Sequence, residues 1–106
     1  MRFHHIGIPT TEPKEGETYS ADSKLFITAI DSHPYRVEWL RFEPGCPMPE
    51  LIQTVAHVAF EVDDLQKAIE GKEVLVQPKT LPSGYRIAFI EEGGAPIEFM
   101  QLSDLE

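Results

Sequence analysis

The apolar positions in the second half of the chain change period in a readable order. Residues 55–62 (VAHVAFEV) are mostly β-branched, aromatic or small and apolar, which predicts a strand by length and composition. Asp63 and Asp64 follow, a residue type favoured at helix N-caps. Leu65, Ala68 and Ile69 then recur at i, i+3 and i+4, the apolar stripe of a short helix that Gly71 ends. Residues 73–78 alternate through Val74 and Val76 and predict a second strand, placed at a sheet edge because Pro78 closes it. LPSG turns the chain, 85–91 is a third strand, and EEGGAP leads tightly into a fourth at 97–102. The predicted order is β-α-β-β-β.

The first half repeats this pattern incompletely. A strand is predicted at 3–8, followed by a polar stretch, TTEPKEGETYSAD, then strands at 24–30 and 35–42 joined by the turn DSHP. The polar stretch has no apolar stripe and carries Pro13 and Gly16, both poor in helix interiors. Two phrases nevertheless rhyme across the halves. HHIGIP is echoed by AHVAFEV, and RVEWLRF by APIEFMQL, so each half opens on a strand histidine and later places a glutamate between large apolar residues. His5 precedes Glu38 by 33 positions and His57 precedes Glu98 by 41, so the first copy is 8 residues shorter. That is about two helical turns at 3.6 residues per turn. The expected architecture is one α+β domain of paired βαβββ modules. Its first module spans about 1–43 with the helix lost, a linker spans about 44–54, and the second module spans about 55–103.

Composition narrows the function class. A length of 106 residues and 42% hydrophobic content suit one globular core. The longest apolar stretches (VAHVAF, KLFITAI, RIAFI) are strand-length, far below the roughly 20 residues of a membrane helix. MRFHHIG enters a strand pattern without an apolar signal-peptide core, so no membrane association and a cytoplasmic location are expected. The formal charge of −9 argues against nucleic acid. The single cysteine, Cys46, permits no internal disulfide and reads as a free thiol in a turn-rich connection.

Side-chain alternation sharpens the rhyme into chemistry. If Val58, Phe60 and Val62 face the helix and core, His57 points to the other face with Ala59 and Glu61. By the same parity Glu98 lies opposite Ile97 and Phe99, and Glu38 lies opposite Val37 and Trp39. Imidazole nitrogens and carboxylate oxygens are ligands for first-row divalent metals, and two half-sites would assemble one four-ligand site from His5, Glu38, His57 and Glu98. A strand histidine or glutamate alone is more often merely hydrogen-bonded or solvated; occurrence at matching places in both halves favours a site. His4 competes with His5 for the first position, and alignment of HIGIP with HVAFE selects His5, leaving His4 as a surface or core-edge residue. His33 reads as structural or solvated. Glu61 shares the site face and is a weaker candidate, as a partner orienting His57. Glu43 and the pair Glu91-Glu92 read as solvent-facing charges.

At HIGIP, VEWLRFEP, HVAFEVDDL and PIEFMQ the chain resembles the vicinal oxygen chelate superfamily, which includes glyoxalase I, methylmalonyl-CoA epimerase, extradiol dioxygenases and the bleomycin- and fosfomycin-resistance proteins. The resemblance implies paired modules forming a cupped mixed sheet, commonly completed in a homodimer. It also implies a divalent metal (Zn, Ni, Co, Mn or Fe) at His5, Glu38, His57 and Glu98. Four protein ligands point to the lyases and isomerases of the group, in which a proton is abstracted beside a substrate oxygen that the metal polarises. Glu98 or Glu38 would be the base. The alternatives are an iron-dependent dioxygenase and a metal-free protein that binds a small aromatic or antibiotic. The chain departs from the group in its shortened first module and in having no basic cluster for a glutathione or CoA tail. Arg36, Arg41 and Arg86 are scattered, Arg36 by parity on the face of Glu38, so a small-molecule substrate is expected.

Overall fold

The computed structural model describes residues 1–102; position 103, the expected end of the second module, lies outside them. The described residues fold into an eight-stranded mixed sheet with two short helices. The strands are β1 (Arg2–Pro9), β2 (Thr18–Ser20), β3 (Leu25–Ile27), β4 (Val37–Phe42), β5 (His57–Glu61), β6 (Glu73–Thr80), β7 (Tyr85–Glu92) and β8 (Ala95–Leu102). Helix α1 covers Glu50–Thr54 and α2 covers Leu65–Ile69. Across the sheet the order is β2-β3-β4-β1-β5-β8-β7-β6. β1 pairs with β4 in parallel and with β5 antiparallel, while β5 pairs with β8 in parallel. The strands that carry the two histidines are therefore central neighbours, each flanked by the strand that carries a glutamate.

The sheet curls. Ile27 on β3 and Tyr85 on β7 line one cavity although five strand spacings separate them. On a flat sheet that interval is about 24 Å, at about 4.8 Å per strand. Apolar residues fill both faces. On the outer face Val62, Phe99, Ala88 and Ile90 pack under Leu65 and Ile69 of α2. On the inner face Ala59, Ile87, Phe89 and Met100 pack with Ile52 of α1. The alternation along β5 and β8 thus falls as expected, with His57 and Glu98 on the inner face beside Ala59 and Met100.

Helix α2 starts where the sequence placed it. The Asp64 carboxylate accepts from the Lys67 backbone N–H at 3.2 Å, and the Leu65 N–H donates to Gln101 Oε1 at 2.7 Å. Asp64→Ala is expected to cost about 1 kcal/mol, the usual value of an N-cap. Urea unfolding should show a lower midpoint with an unchanged slope; a changed slope would mean that more than the cap was lost.

Four elements differ from the sequence reading. The polar stretch after β1 contains a three-residue strand, β2, which pairs with β3. Arg41 clasps Glu17 through two hydrogen bonds of 2.8 and 2.7 Å, and the Tyr19 hydroxyl donates to Glu43 at 2.7 Å, so polar side chains rather than an apolar stripe hold this segment down. The strand expected at 24–30 is shortened to Leu25–Ile27, after which the chain makes a 3-10 turn at Ile30–Ser32. The expected linker holds α1, which begins directly after Pro49. Strand β6 runs past Pro78 to Thr80, lies at the sheet edge as expected, and absorbs register shifts between Val74 and Lys79.

Candidate metal centre

The four residues singled out by the repeat converge on the inner face. In register, Gly7 of β1 stands between Glu38 of β4 and His57 of β5, and Glu98 of β8 stands beside Ala59 of β5. His5 Nε2 lies 3.4 Å from an oxygen of Glu38 and 3.4 Å from an oxygen of Glu98, and His57 Nε2 lies 3.1 Å from the same Glu98 oxygen. His5, His57 and Glu98 are each exposed by no more than 5%. Glu38 is half-buried.

None of these approaches has hydrogen-bond direction, so His5 Nε2 and both ring nitrogens of His57 are buried without a hydrogen-bond partner among the described residues. Unsatisfied buried polar atoms are costly, about 1–3 kcal/mol each. Their separations fit a different arrangement. A first-row ion bonded at about 2.1 Å sets neighbouring ligand atoms about 3.0 Å (octahedral) to 3.4 Å (tetrahedral) apart. Ligand atoms of His5, Glu38 and His57 all lie within 4.8 Å of one another and form a group that could hold a metal ion, with Glu98 in contact with both imidazoles.

Electrostatics favour a cation here with or without a metal. For His5, burial acts to depress the pKa, but Glu38 and Glu98 outweigh it and raise the value from 6.5 to about 9. For Glu98, burial acts to raise the pKa, and the facing imidazoles of His5 and His57 outweigh it, leaving the carboxyl below its usual value. Any metal must displace the proton on His5, because only the neutral ring has a lone pair to give. Metal affinity should therefore rise about tenfold per pH unit as pH increases from 7 toward 9 and then level off, as one released proton requires. In metal-free protein the raised His5 pKa stabilises the fold fully below 6.5, and this contribution is lost as pH rises through about 9. The depressed Glu98 pKa stabilises above 4.5, and that contribution is lost on acidification. Tm of chelator-treated protein should thus peak between these limits. Metal titrations at successive pH values check the first expectation and thermal scans the second.

The carboxylates sit at the boundary between two cavities. The outer one, about 440 Å³, is lined by His4, His5, Glu38, Glu98, Tyr85 and residues of the β2 and β3 segment. The inner one, about 130 Å³, is lined by His57, Glu38, Glu98, Lys79, Ser23 and apolar residues that include Phe89 and Ile52. Among the described residues, no lysine or arginine lines the outer cavity.

No family model matches the sequence, and no curated protein matches it. Solved structures do. A hypothetical protein, BH1468 from Bacillus halodurans C-125, superposes with a TM-score of 0.67 at 18% identity, covering 99% of this chain and 96% of that one. Methylmalonyl-CoA epimerase from Mycobacterium tuberculosis gives a TM-score of 0.65 at 14% identity, covering 97% of this chain and 89% of that one. The fold is shared with that epimerase. At such identities the likeness is one of fold alone.

Two residues shape the site beyond what the sequence reading assigns them. His4 is half-buried, at the core edge as expected, but it also reaches the site: its Nδ1 lies 2.8 Å from Nδ1 of His5, and its ring meets Tyr85 edge-on. Gly7 is the floor on which the His57 ring rests; a Cβ added there would stand 2.2 Å from Cε1 of His57. A lone glycine inside a strand is a known signal of close approach, and it would have found this one. Glu61 does not orient His57, whose Nδ1 has no partner; it faces Arg2 at 3.8 Å. Arg36 departs from strand parity, because it takes a positive φ of 58° just before β4 and donates to the His4 carbonyl.

Proposed function

We propose that the protein is a divalent-metal-dependent lyase or isomerase that moves a proton on carbon beside a substrate oxygen. The observation that carries this reading is the pair of buried Nε2 atoms, unpartnered by hydrogen bonds, converging with two carboxylates at the wall of a 440 Å³ cavity. His5, Glu38, His57 and Glu98 would hold the ion. When bound, it supplies Lewis acidity that draws electrons from a substrate oxygen and acidifies the neighbouring C–H.

The chain's own residues divide the remaining work. Glu98, buried and in contact with both imidazoles, is the fixed anionic anchor of the centre. Glu38 touches one imidazole, keeps 16% of its side chain exposed and lines the outer cavity, so it is the carboxylate free to take the proton and return it. Tyr85, Leu81 and Ile27 wall the cavity and limit water around the reacting carbon. A cavity of this size without lysine or arginine suits a small carbonyl or hydroxycarbonyl compound better than one with a polyphosphate tail.

The test begins with elemental mass spectrometry of purified protein, beside a His57→Ala, Glu98→Ala double variant. About one ion per chain, lost in the double variant, supports the centre. Metal-loaded protein is then incubated in deuterium oxide with small α-hydroxyaldehydes and α-hydroxyketones and followed by proton NMR. Metal-dependent exchange at carbon supports the proposal. Oxygen uptake without exchange would move the protein to the dioxygenases, and failure to take up Zn, Ni, Co, Mn or Fe would leave a metal-free binding protein.

A further inference from the structure

We infer that His4 is a positioning residue for the centre: it accepts a hydrogen bond from Nδ1–H of His5 and thereby fixes the tautomer in which His5 Nε2 is free to bind a cation. This rests on the metal-centre reading proposed above, but the hydrogen bond itself is a feature of the chain alone. Along β1, Phe3 pairs with Phe60 and His5 pairs with Ala59, so two steps on β1 match one on β5 and His4 is the extra residue of a bulge. A bulge of this kind breaks alternation and lets consecutive side chains share a face. Accordingly His4 and His5 both line the outer cavity, with ring centroids 5.1 Å apart. The bulge is pinned on its other side by Arg36, whose Nε donates to the His4 carbonyl, and by Ile6 N–H, which donates to the Arg36 carbonyl at 3.1 Å.

Two neutral imidazole nitrogens 2.8 Å apart require one proton between them. If His4 donated it, the proton of His5 would sit on Nε2, among the carboxylates of Glu38 and Glu98, and no lone pair would face the centre. If His5 donates, its Nε2 is bare, and His4 carries its own proton on Nε2. Only the second arrangement serves a metal ligand. Ligating histidines usually donate their second N–H to a carboxylate or carbonyl, with 10- to 100-fold effects on metal affinity; here a second imidazole takes that place.

The experiment compares wild type with His4→Leu, which removes the acceptor, and His4→Asn, whose amide oxygen reaches the position of Nδ1. Zn²⁺ alone is the probe of affinity, and ¹⁵N NMR reads, through nitrogen–nitrogen coupling across the hydrogen bond, whether Nδ1–H of His5 is shared with Nδ1 of His4. The expected result, in Zn²⁺-loaded protein and in metal-free protein at pH 7, is that coupling in wild type, a hydrogen-bonded Nδ1–H of His5 in His4→Asn, and an Nδ1–H without that partner in His4→Leu. Zn²⁺ affinity should fall about 10- to 100-fold in His4→Leu and be largely restored in His4→Asn. No coupling between the two Nδ1 atoms in wild type, undiminished affinity in His4→Leu, or equal loss in both variants would overturn the inference. Wild type that binds no Zn²⁺ yet shows the coupling would overturn the metal reading while upholding the hydrogen bond.

Discussion

Gly7→Ala is expected to abolish metal binding at the proposed centre while leaving all four ligand residues in the sequence. The added methyl would lie 2.2 Å from Cε1, 2.7 Å from Nε2 and 2.8 Å from Nδ1 of His57, inside any tolerable contact. Something must move, and the backbone cannot easily do so, because Gly7 is paired on both sides, to Glu38 on β4 and His57 on β5. The imidazole is the softer element, but Phe89 closes its far side edge-on at 5.0 Å. The ring must therefore leave its seat, carrying Nε2 away from Glu98. Overpacking of this kind costs about 1–3 kcal/mol. The loss of metal affinity should match that of His57→Ala and exceed the roughly 100-fold ceiling for groups that only support a ligand. A double-mutant cycle separates steric strain from a general defect: in a His57→Ala background the methyl has room, so Gly7→Ala should cost little there. Wild-type Zn²⁺ affinity in Gly7→Ala would show that the ring does not rest on Gly7.

Gly7 also marks how far the sequence could be read. The second half was legible because each local signal agreed with the fold. The run at 55–62 became β5, Asp64 capped α2, and alternation put His57 and Glu98 on the face away from Val62 and Phe99. The placement of His57 and Glu98 was legible for the same reason, since a residue's face follows from parity alone once the strand is known. What escaped depends on features that hydrophobic period does not encode. Strand β2 has three residues and is fastened by Arg41–Glu17 and Tyr19–Glu43, contacts between segments distant in sequence. Helix α1 is five residues in a proline-rich connection, too short to show a stripe, and its one buried residue, Ile52, is visible only against Ala59 and Met100. His4 escaped because parity assigns neighbours to opposite faces, and an extra residue in the ladder cancels that rule locally.

Glu98→Gln should have the largest effect of any isosteric change in the molecule, and its comparison with Glu38→Gln tests how the two carboxylates divide their roles. Glu98 is buried in the middle of the sheet, paired with Ala59 on β5 and with Phe89 on β7, and one of its oxygens meets both His5 and His57. Glutamine keeps the volume and one oxygen but removes the charge, so the centre loses an anionic ligand where water cannot replace it. Metal affinity should fall more than about 100-fold, beyond what loss of a supporting group produces. The same change removes one of the two carboxylates that raise the His5 pKa, so the fall in Tm of metal-free protein between pH 6.5 and 9 should shrink. Glu38→Gln should behave differently. Glu38 meets one imidazole and faces the outer cavity, so metal affinity should fall less, while carbon–deuterium exchange in the loaded protein should slow by about 10²- to 10⁴-fold, as loss of a general base does. The assignment turns on that crossing of effects. If Glu38→Gln loses metal as completely as Glu98→Gln, both carboxylates are anchors and the base lies elsewhere. If Glu98→Gln keeps its metal but loses exchange, the two roles are reversed.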